Sequence, residues 1–129
     1  PSIAISVDSF SPRSFSTSKI VVRKVINYIE NNIIPSGTIL NVNIPDCEPS
    51  DLKGYKVTSQ GHQYFNDNFE KRADPRGRDY YWMTGEIIDN DKELGYDGFA
   101  VSNGYASITP INFMMTNTSF LDELERSII

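Results

Sequence analysis

The pattern of apolar and polar positions in the first third of the chain predicts a strand, a helix and a second strand. Residues 3–7 are short, apolar and β-branched, which is typical of an interior strand. Ser16 or Thr17 is expected to cap the helix that follows, and Pro35 to stop it. Residues 38–44 are the next predicted strand, and such crossover units favour parallel, right-handed pairing. Apolar spacings of three and four predict one buried helical stripe: Val22, Val25, Ile26, Ile29 and Ile33.

The middle of the chain predicts a long β-hairpin. A short strand is expected over 55–59, and residues 62–73 contain aromatic but few aliphatic side chains. Pro75 presets φ inside an Asp-Pro-Arg-Gly turn signal, so we expect the hairpin to turn there. An aromatic strand over 80–84 returns from the turn, and the acidic residues 86–98 are expected to form a mobile loop.

The last part of the chain predicts a strand over 105–109 and a terminal helix capped by Ser119. The apolar stripe of this helix is Phe120, Leu121, Leu124 and Ile128. Three regions are therefore expected. Residues 1–54 complete an α/β sheet domain, residues 55–116 form an extended hairpin and a returning strand for oligomerisation, and residues 117–129 form the C-terminal helix.

Composition narrows the possible chemistry. Cys47 is the only cysteine and His62 the only histidine, which excludes an internal disulfide, a cysteine-based zinc site and a two-histidine metal site. The net charge of −5 argues against a chain whose whole surface binds nucleic acid, so no contact with a duplex is expected. No apolar run, residues 20–22 included, approaches the length needed to span a bilayer. No basic-then-apolar leader is visible, and a cytoplasmic location is expected.

Three residues are candidates for substrate contact. His62 has the chemistry of a general base, and Arg76 and Arg78 lie in a cationic turn whose guanidinium groups match phosphate oxygens. The alternative is that His62 is an ordinary surface residue and that the cations keep the hairpin tip soluble.

Aromatic and apolar residues provide candidates for an oligomer interface. Tyr80, Tyr81 and Trp82 are adjacent, so they face both sides of a strand and cannot all be covered by their own subunit. An interface is expected here rather than stacking on bases. The C-terminal helix is too short to persist alone, so Phe120, Leu121 and Leu124 are expected to dock on another surface.

Several segments together resemble the C-terminal half of the SurE (survival protein E) family, and the resemblance covers nearly the whole chain in order. The matching segments are Pro1-Ser2-Ile3-Ala4-Ile5-Ser6, the Leu-Asn-Val-Asn-Ile-Pro run of residues 40–45, Val57-Thr58-x-x-Gly61, Asp74-Pro75-Arg76-Gly77 and the Gly-Tyr-Ala-Ser-Ile-Thr-Pro run of residues 104–110. The chain departs from the family pattern at Ser59, where arginine is usual, and at Met114, where aspartate is frequent.

The resemblance implies a fold and an activity. The fold would be the C-terminal part of a Rossmann-type three-layer α/β domain, with a protruding β-hairpin and a C-terminal helix exchanged between subunits. The activity would be that of a 5′(3′)-nucleotidase, a phosphohydrolase of nucleoside monophosphates that uses a divalent metal, Mg²⁺ or Mn²⁺. The family's metal ligands and its catalytic motifs belong to the N-terminal half, so no metal ligand and no catalytic residue is assigned to this chain.

These expectations define two alternative functions. Because the chain opens with Pro1 rather than Met and its first residues already predict a buried strand, we expect a fragment that needs the missing N-terminal half and is inactive alone. The intact protein would be a homo-oligomer, a dimer or a tetramer. The alternative is a non-enzymatic assembly or partner-binding module that acts through its aromatic hairpin.

Overall fold

The computed structural model describes residues 2–128, which form a four-stranded sheet, a separate two-stranded hairpin and three helices. The elements in chain order are β1 (Ser2–Asp8), α1 (Ser16–Asn31), β2 (Thr38–Pro45), β3 (Tyr55–Val57), β4 (Tyr64–Ala73), β5 (Asp79–Ile88), α2 (Asp97–Ser102), β6 (Ala106–Asn112) and α3 (Thr118–Ile128). No helix in this described range is both long and apolar enough to cross a membrane.

The first three elements form the predicted crossover unit. β1 and β2 pair in parallel over their whole lengths, from Ser2 opposite Ile39 to Asp8 opposite Pro45, and α1 connects them. The sheet order is β1-β2-β6-β3, in which β6 is antiparallel to β2 and parallel to β3. The mixed α/β fold expected from the sequence is therefore confirmed.

One face of the sheet packs against α1 and forms the hydrophobic core. Side chains alternate between faces along a strand, so every second residue of β2 faces the helix. The buried apolar residues of this cluster are Val21, Val25, Leu40, Val42, Ile44 and Ala106.

The predicted stripe and cap of α1 are wrong in part. The buried residues of the helix are Thr17, Val21 and Val25, which are spaced by four. Ile26 is 42% exposed, and Ile33 is 96% exposed because it lies beyond the end of the helix. The hydroxyl of Thr17 donates to a backbone carbonyl beyond β2 from inside the helix, and the residue that precedes the helix makes no side-chain cap.

The prediction of an interior strand for residues 3–7 is also wrong for the chain as described. Within residues 2–128, β1 pairs with β2 alone and forms one edge of the sheet. Ile5 is 42% exposed as a result.

The other face of the sheet is more polar and is partly covered by α2. Asn41 and Asn43 of β2 alternate with the core residues and therefore face this side. Ala100 and Val101 of α2 are almost completely buried. The sequence did not predict α2, because six residues are too few to show a helical period.

β4 and β5 form the predicted hairpin. They pair antiparallel from Tyr64 opposite Ile88 to Ala73 opposite Asp79. The Asp74 carboxylate accepts the backbone N–H groups of Arg76 and Arg78 at 2.8 Å, which closes the turn around Pro75. Gly77 has φ of 79°, the left-handed conformation that glycine adopts without steric cost.

The hairpin and α3 leave large apolar side chains uncovered. Every residue of β4 is exposed, and so are Tyr80, Tyr81 and Trp82 of β5. No residue of α3 is buried. The starting point of α3, Thr118, lies one residue before the predicted cap at Ser119, which is inside the helix.

The core assignment predicts different outcomes for two isoleucines. Ile44→Ala, at a fully buried position, should lower the free energy of unfolding by about 2–5 kcal/mol, since it removes apolar volume and leaves a cavity. Ile33→Ala, at an almost fully exposed position, should change it by no more than about 0.5 kcal/mol. Urea unfolding of both variants measures the difference, and equal losses would show that the core is misplaced.

Candidate functional site

A polar cleft lies where β1 and β2 end. It has a volume of about 600 Å³ and is bounded by the end of β1 with the residues after it, by β2, by α2 and by the two segments at the base of the hairpin. The residues that line it are Ser6, Val7, Asp8, Ser9, Phe10, Asn43, Gln63, Asp89, Asp97, Gly98, Val101 and Ser102. The carboxyl ends of parallel strands are the usual ligand-binding edge of an open α/β sheet.

Strand register explains why the floor of this cleft is polar. Ser6 and Asn43 are direct partners across the parallel β1–β2 pair, so their side chains share a face. That face is the one opposite the core, which the neighbouring residues Val42 and Ile44 occupy. The polar floor therefore follows from the alternation that buries the aliphatic residues of β2.

Two carboxylates, Asp91 and Asp97, bind the segment that leads into β4 at the base of the hairpin. Asp97 also lines the cleft, so the wall of the cleft formed by residues 89–98 is attached to this segment. Oδ1 of Asp97 accepts the backbone N–H of Gly61 at 2.8 Å and that of Gly98 at 2.9 Å. Oδ2 of Asp91 accepts the backbone N–H of His62 at 2.7 Å, and its Oδ1 lies 2.9 Å from the ring nitrogen Nδ1 of the same histidine. Consecutive backbone N–H groups are thus bound by carboxylates from a distant segment.

Backbone hydrogen bonds reinforce this attachment. The Ser59 N–H donates to the Gly95 carbonyl at 2.8 Å, and the Asp97 N–H donates to the Ser59 carbonyl at 3.1 Å. The loop that the sequence places at 86–98 is shorter than predicted, because β5 extends to Ile88 and α2 begins at Asp97. The remaining residues 89–96 are tied to the segment before β4.

The contacts of Asp91 alter its acidity. The backbone N–H of His62, and then the His62 ring, stabilise the ionised form and hold the pKa of the Asp91 carboxyl below its ordinary value of 3.8. Asp91 is therefore ionised at neutral pH and is a permanent acceptor for both donors.

His62 is held at one ring nitrogen but remains accessible. Its side chain is 71% exposed, whereas that of Asp91 is only 8% exposed. The ring packs edge-to-face against Tyr96, with centroids 5.2 Å apart. The sequence singled out His62, and the structure places it beside Gln63, which lines the cleft.

The structure does not bring the two arginine candidates to this cleft. Arg76 and Arg78 lie in the turn at the far end of ten-residue strands, about 30 Å from the hairpin base at 3.3 Å per residue. Nearby cations of the hairpin form ion pairs, Lys71 with Asp79 at 2.7 Å and Arg72 with Glu70 at 2.6 Å. The cleft and the cationic turn are thus separate features.

A metal ion needs several carboxylate, imidazole or thiolate ligands close together. In the part of the chain that the structure describes, no three His, Cys, Asp or Glu side chains lie close enough together to hold one. The residues present do not form a metal site by themselves.

Sequence reasoning missed most of the cleft. The alternation Leu-Asn-Val-Asn-Ile in β2 was a usable signal for Asn43, since it places two amides on the face opposite the core. Asp91 and Asp97 gave no local signal, because their partners His62 and Gly61 are 29 and 36 residues away in the chain.

The fold and the cleft define a class: an α/β sheet protein with a polar site at its carboxyl edge and a projecting hairpin. Comparison with known families is more specific. The family model described as Survival protein SurE matches residues 1–67. The chain therefore belongs to the SurE family.

Individual relatives agree with this assignment. The chain is 42% identical over 125 residues to the 5′-nucleotidase SurE of Fervidobacterium nodosum, a match covering 97% of this chain and 48% of that protein. It is 40% identical to the 5′-nucleotidase SurE of Petrotoga mobilis, over 97% of this chain and 50% of the relative. The crystal structure of the SurE protein from Aquifex aeolicus superposes with a TM-score of 0.81 at 35% identity, covering 98% of this chain and 51% of that one.

The chain spans about half the length of the curated relatives it matches. The expected resemblance to the SurE family is confirmed, and so is the α/β fold with its hairpin and terminal helix.

The converging carboxylates predict that Gly61 does not tolerate a side chain. A Cβ at this position would lie 2.7 Å from Oδ2 of Asp91 and 3.1 Å from Oδ1 of Asp97. Gly61→Ala should displace both carboxylates and speed hydrogen exchange at the His62 amide by about 10- to 100-fold, the effect of losing one hydrogen bond to a charged group. Gly95→Ala, with no atom within 4 Å of the added Cβ, is the matched control and should leave the exchange unchanged. Equal exchange in both variants would contradict the attachment.

The lowered pKa of Asp91 predicts how the attachment depends on pH. The pKa of Asp91 is lower in the folded protein than its ordinary value of 3.8, so the ionised carboxylate stabilises the fold above that pH. This stabilisation is lost as the pH falls through the lower pKa of the folded state. The amide proton shift of His62 should follow this titration with a midpoint below 3.8. Asp91→Asn should abolish the titration. A midpoint at or above the ordinary value would show that the bond does not hold the carboxylate.

Proposed function

We propose that the protein to which this chain belongs is a 5′-nucleotidase that hydrolyses the phosphate ester of nucleoside monophosphates, as the SurE relatives' names indicate. The observation that carries the proposal is the 42% identity to a 5′-nucleotidase over 97% of the chain. The polar cleft at the carboxyl edge of the sheet is a suitable place for part of a nucleotide. A 3′-nucleotidase activity and a cytoplasmic location belong to the same proposal.

In this proposal the chain supplies only part of the active site. The other half of the relatives' length would supply the catalytic groups and the ligands of a divalent metal, Mg²⁺ or Mn²⁺. The chain supplies one wall of the cleft, the hairpin and the C-terminal helix. It is therefore inactive by itself and active only with the N-terminal half.

We also propose a homo-oligomer, a dimer or a tetramer, built through the hairpin and the terminal helix. Tyr81 and Trp82 are 65% and 55% exposed, and Leu124 is 41% exposed. Phe120 and Leu121 lie on the same uncovered helix. Large apolar side chains left exposed on one hairpin and one helix are typical of residues that a partner covers. The same surface supports the second candidate, a non-enzymatic assembly module.

An activity assay tests the proposed function. The intact protein should release phosphate from a nucleoside monophosphate in the presence of Mg²⁺ or Mn²⁺, and a chelator should abolish this release. The isolated chain should show no release above the blank. If the intact protein releases no phosphate, the assembly module is favoured. If the isolated chain shows chelator-sensitive turnover, the proposal that the catalytic groups and metal ligands lie in the other half is refuted.

Light scattering tests the oligomer. Replacing Tyr81 and Trp82 by Ser in the intact protein should reduce its mass to that of a smaller assembly, because the interface loses its aromatic contacts. Tyr28→Ser is the control, since Tyr28 is an aromatic residue of α1 that is 53% exposed. An unchanged mass for the hairpin variant would show that these aromatics do not hold subunits together.

A further inference from the structure

The charged residues that line the cleft are all acidic. Asp8, Asp89 and Asp97 line it, and none of its described lining residues is lysine or arginine. A phosphate dianion that approaches this wall is repelled by its carboxylates. A cationic or hydrogen-bond-donating group beside this wall would offset that repulsion where a phosphate contacts it.

His62 adjoins this lining in the chain and has the required chemistry. It follows Gly61, which is bonded to Asp97, and precedes Gln63, which lines the cleft. The carboxylate Asp91 that binds its ring comes two residues after Asp89, and the Asp91 N–H donates to that residue at 2.9 Å. The histidine does not itself line the cleft, but it adjoins Gln63, which does, and it is fixed there by its two contacts with Asp91.

The bond to Asp91 determines which ring nitrogen is available. An ionised carboxylate 2.9 Å from Nδ1 accepts a proton from that nitrogen, so Nδ1 carries hydrogen in both the neutral and the charged ring. Nε2 is then the ring nitrogen that remains free to contact a ligand. A second contact from the same carboxylate, at 2.7 Å to the backbone N–H, restrains the residue before any ligand arrives.

We propose that His62 is a phosphate-binding residue of the cleft and that Asp91 is its positioning residue. The imidazolium donates from Nε2 to an oxygen of the nucleotide phosphate, while Asp91 holds Nδ1–H and fixes the ring plane. The inference rests on the proposed nucleotidase function and specifies which group on this half of the site contacts the phosphate. Asp91, Asp89, Asp97 and the Tyr96 ring are the titratable neighbours that the structure shows around the histidine segment.

Kinetics of the intact protein provide the first test. His62→Gln should raise KM for a nucleoside monophosphate about 10- to 100-fold, the loss expected for one hydrogen bond to a charged group, and should change kcat much less. His62→Arg keeps a cation and should recover most of the affinity. Asp91→Asn should raise KM by a smaller factor, because the ring remains but is no longer oriented. Arg23→Ala is the control, since it removes an exposed cation from α1 on the opposite face of the sheet.

NMR of the histidine ring provides the second test. The His62 signals of the intact protein are assigned by their absence in His62→Gln and followed with Mg²⁺ and a non-hydrolysable phosphonate analogue of a nucleoside monophosphate. They should shift with this analogue and with inorganic phosphate, but not with the corresponding nucleoside. Equal shifts with the nucleoside would show that His62 contacts the sugar or the base rather than the phosphate, and this result would overturn the proposal.

The two tests separate this inference from the proposed function. If the parent protein hydrolyses nucleotides but His62→Gln keeps the parent KM, the assignment of His62 is wrong and the nucleotidase function stands. If the parent hydrolyses no nucleotide, the proposed function fails, and the NMR shift with inorganic phosphate still decides whether His62 binds phosphate.

Discussion

Two carboxylates bind two consecutive backbone N–H groups, and these bonds join the segment before β4 to the segment that follows β5. Asp97 binds the N–H of Gly61, and Asp91 binds that of His62. These groups precede β4 and have no strand partner there, so without the carboxylates they would need water or another acceptor. The attachment fixes the start of the hairpin, the loop after it and the adjoining wall of the cleft at the same time.

The sheet supplies the rest of the cleft through simple alternation. Aliphatic residues of β2 face α1, and the asparagines between them face the opposite side. The parallel register with β1 then sets Ser6 beside Asn43 at the carboxyl edge. The core and the polar floor are therefore two consequences of one sequence pattern, while the wall depends on contacts between segments about 30 residues apart.

This difference explains what could be predicted from sequence. The crossover unit and the turn at Pro75 depend on local periodicity and local φ preferences, and both were predicted correctly. The buried face of α1 was predicted in part: Val25 is buried and Ile29 packs against the core, as expected. Ile26 is 42% exposed and Ile33 lies beyond Asn31, the last helical residue, whereas Thr17 and Val21 are buried instead. The short α2 and the carboxylate partners of His62 have no periodic signal, so they needed the three-dimensional structure.

The central claim is that the carboxylate-bound hairpin base presents His62 to the phosphate of a nucleotide. A crystal structure of the intact protein with the phosphonate analogue tests it most directly. The account predicts that Nε2 of His62 lies within about 3.2 Å of a phosphonate oxygen. It also predicts that Asp91 retains both of its bonds to the histidine. A bound analogue whose phosphonate lies away from His62, or a histidine released from Asp91, would contradict it.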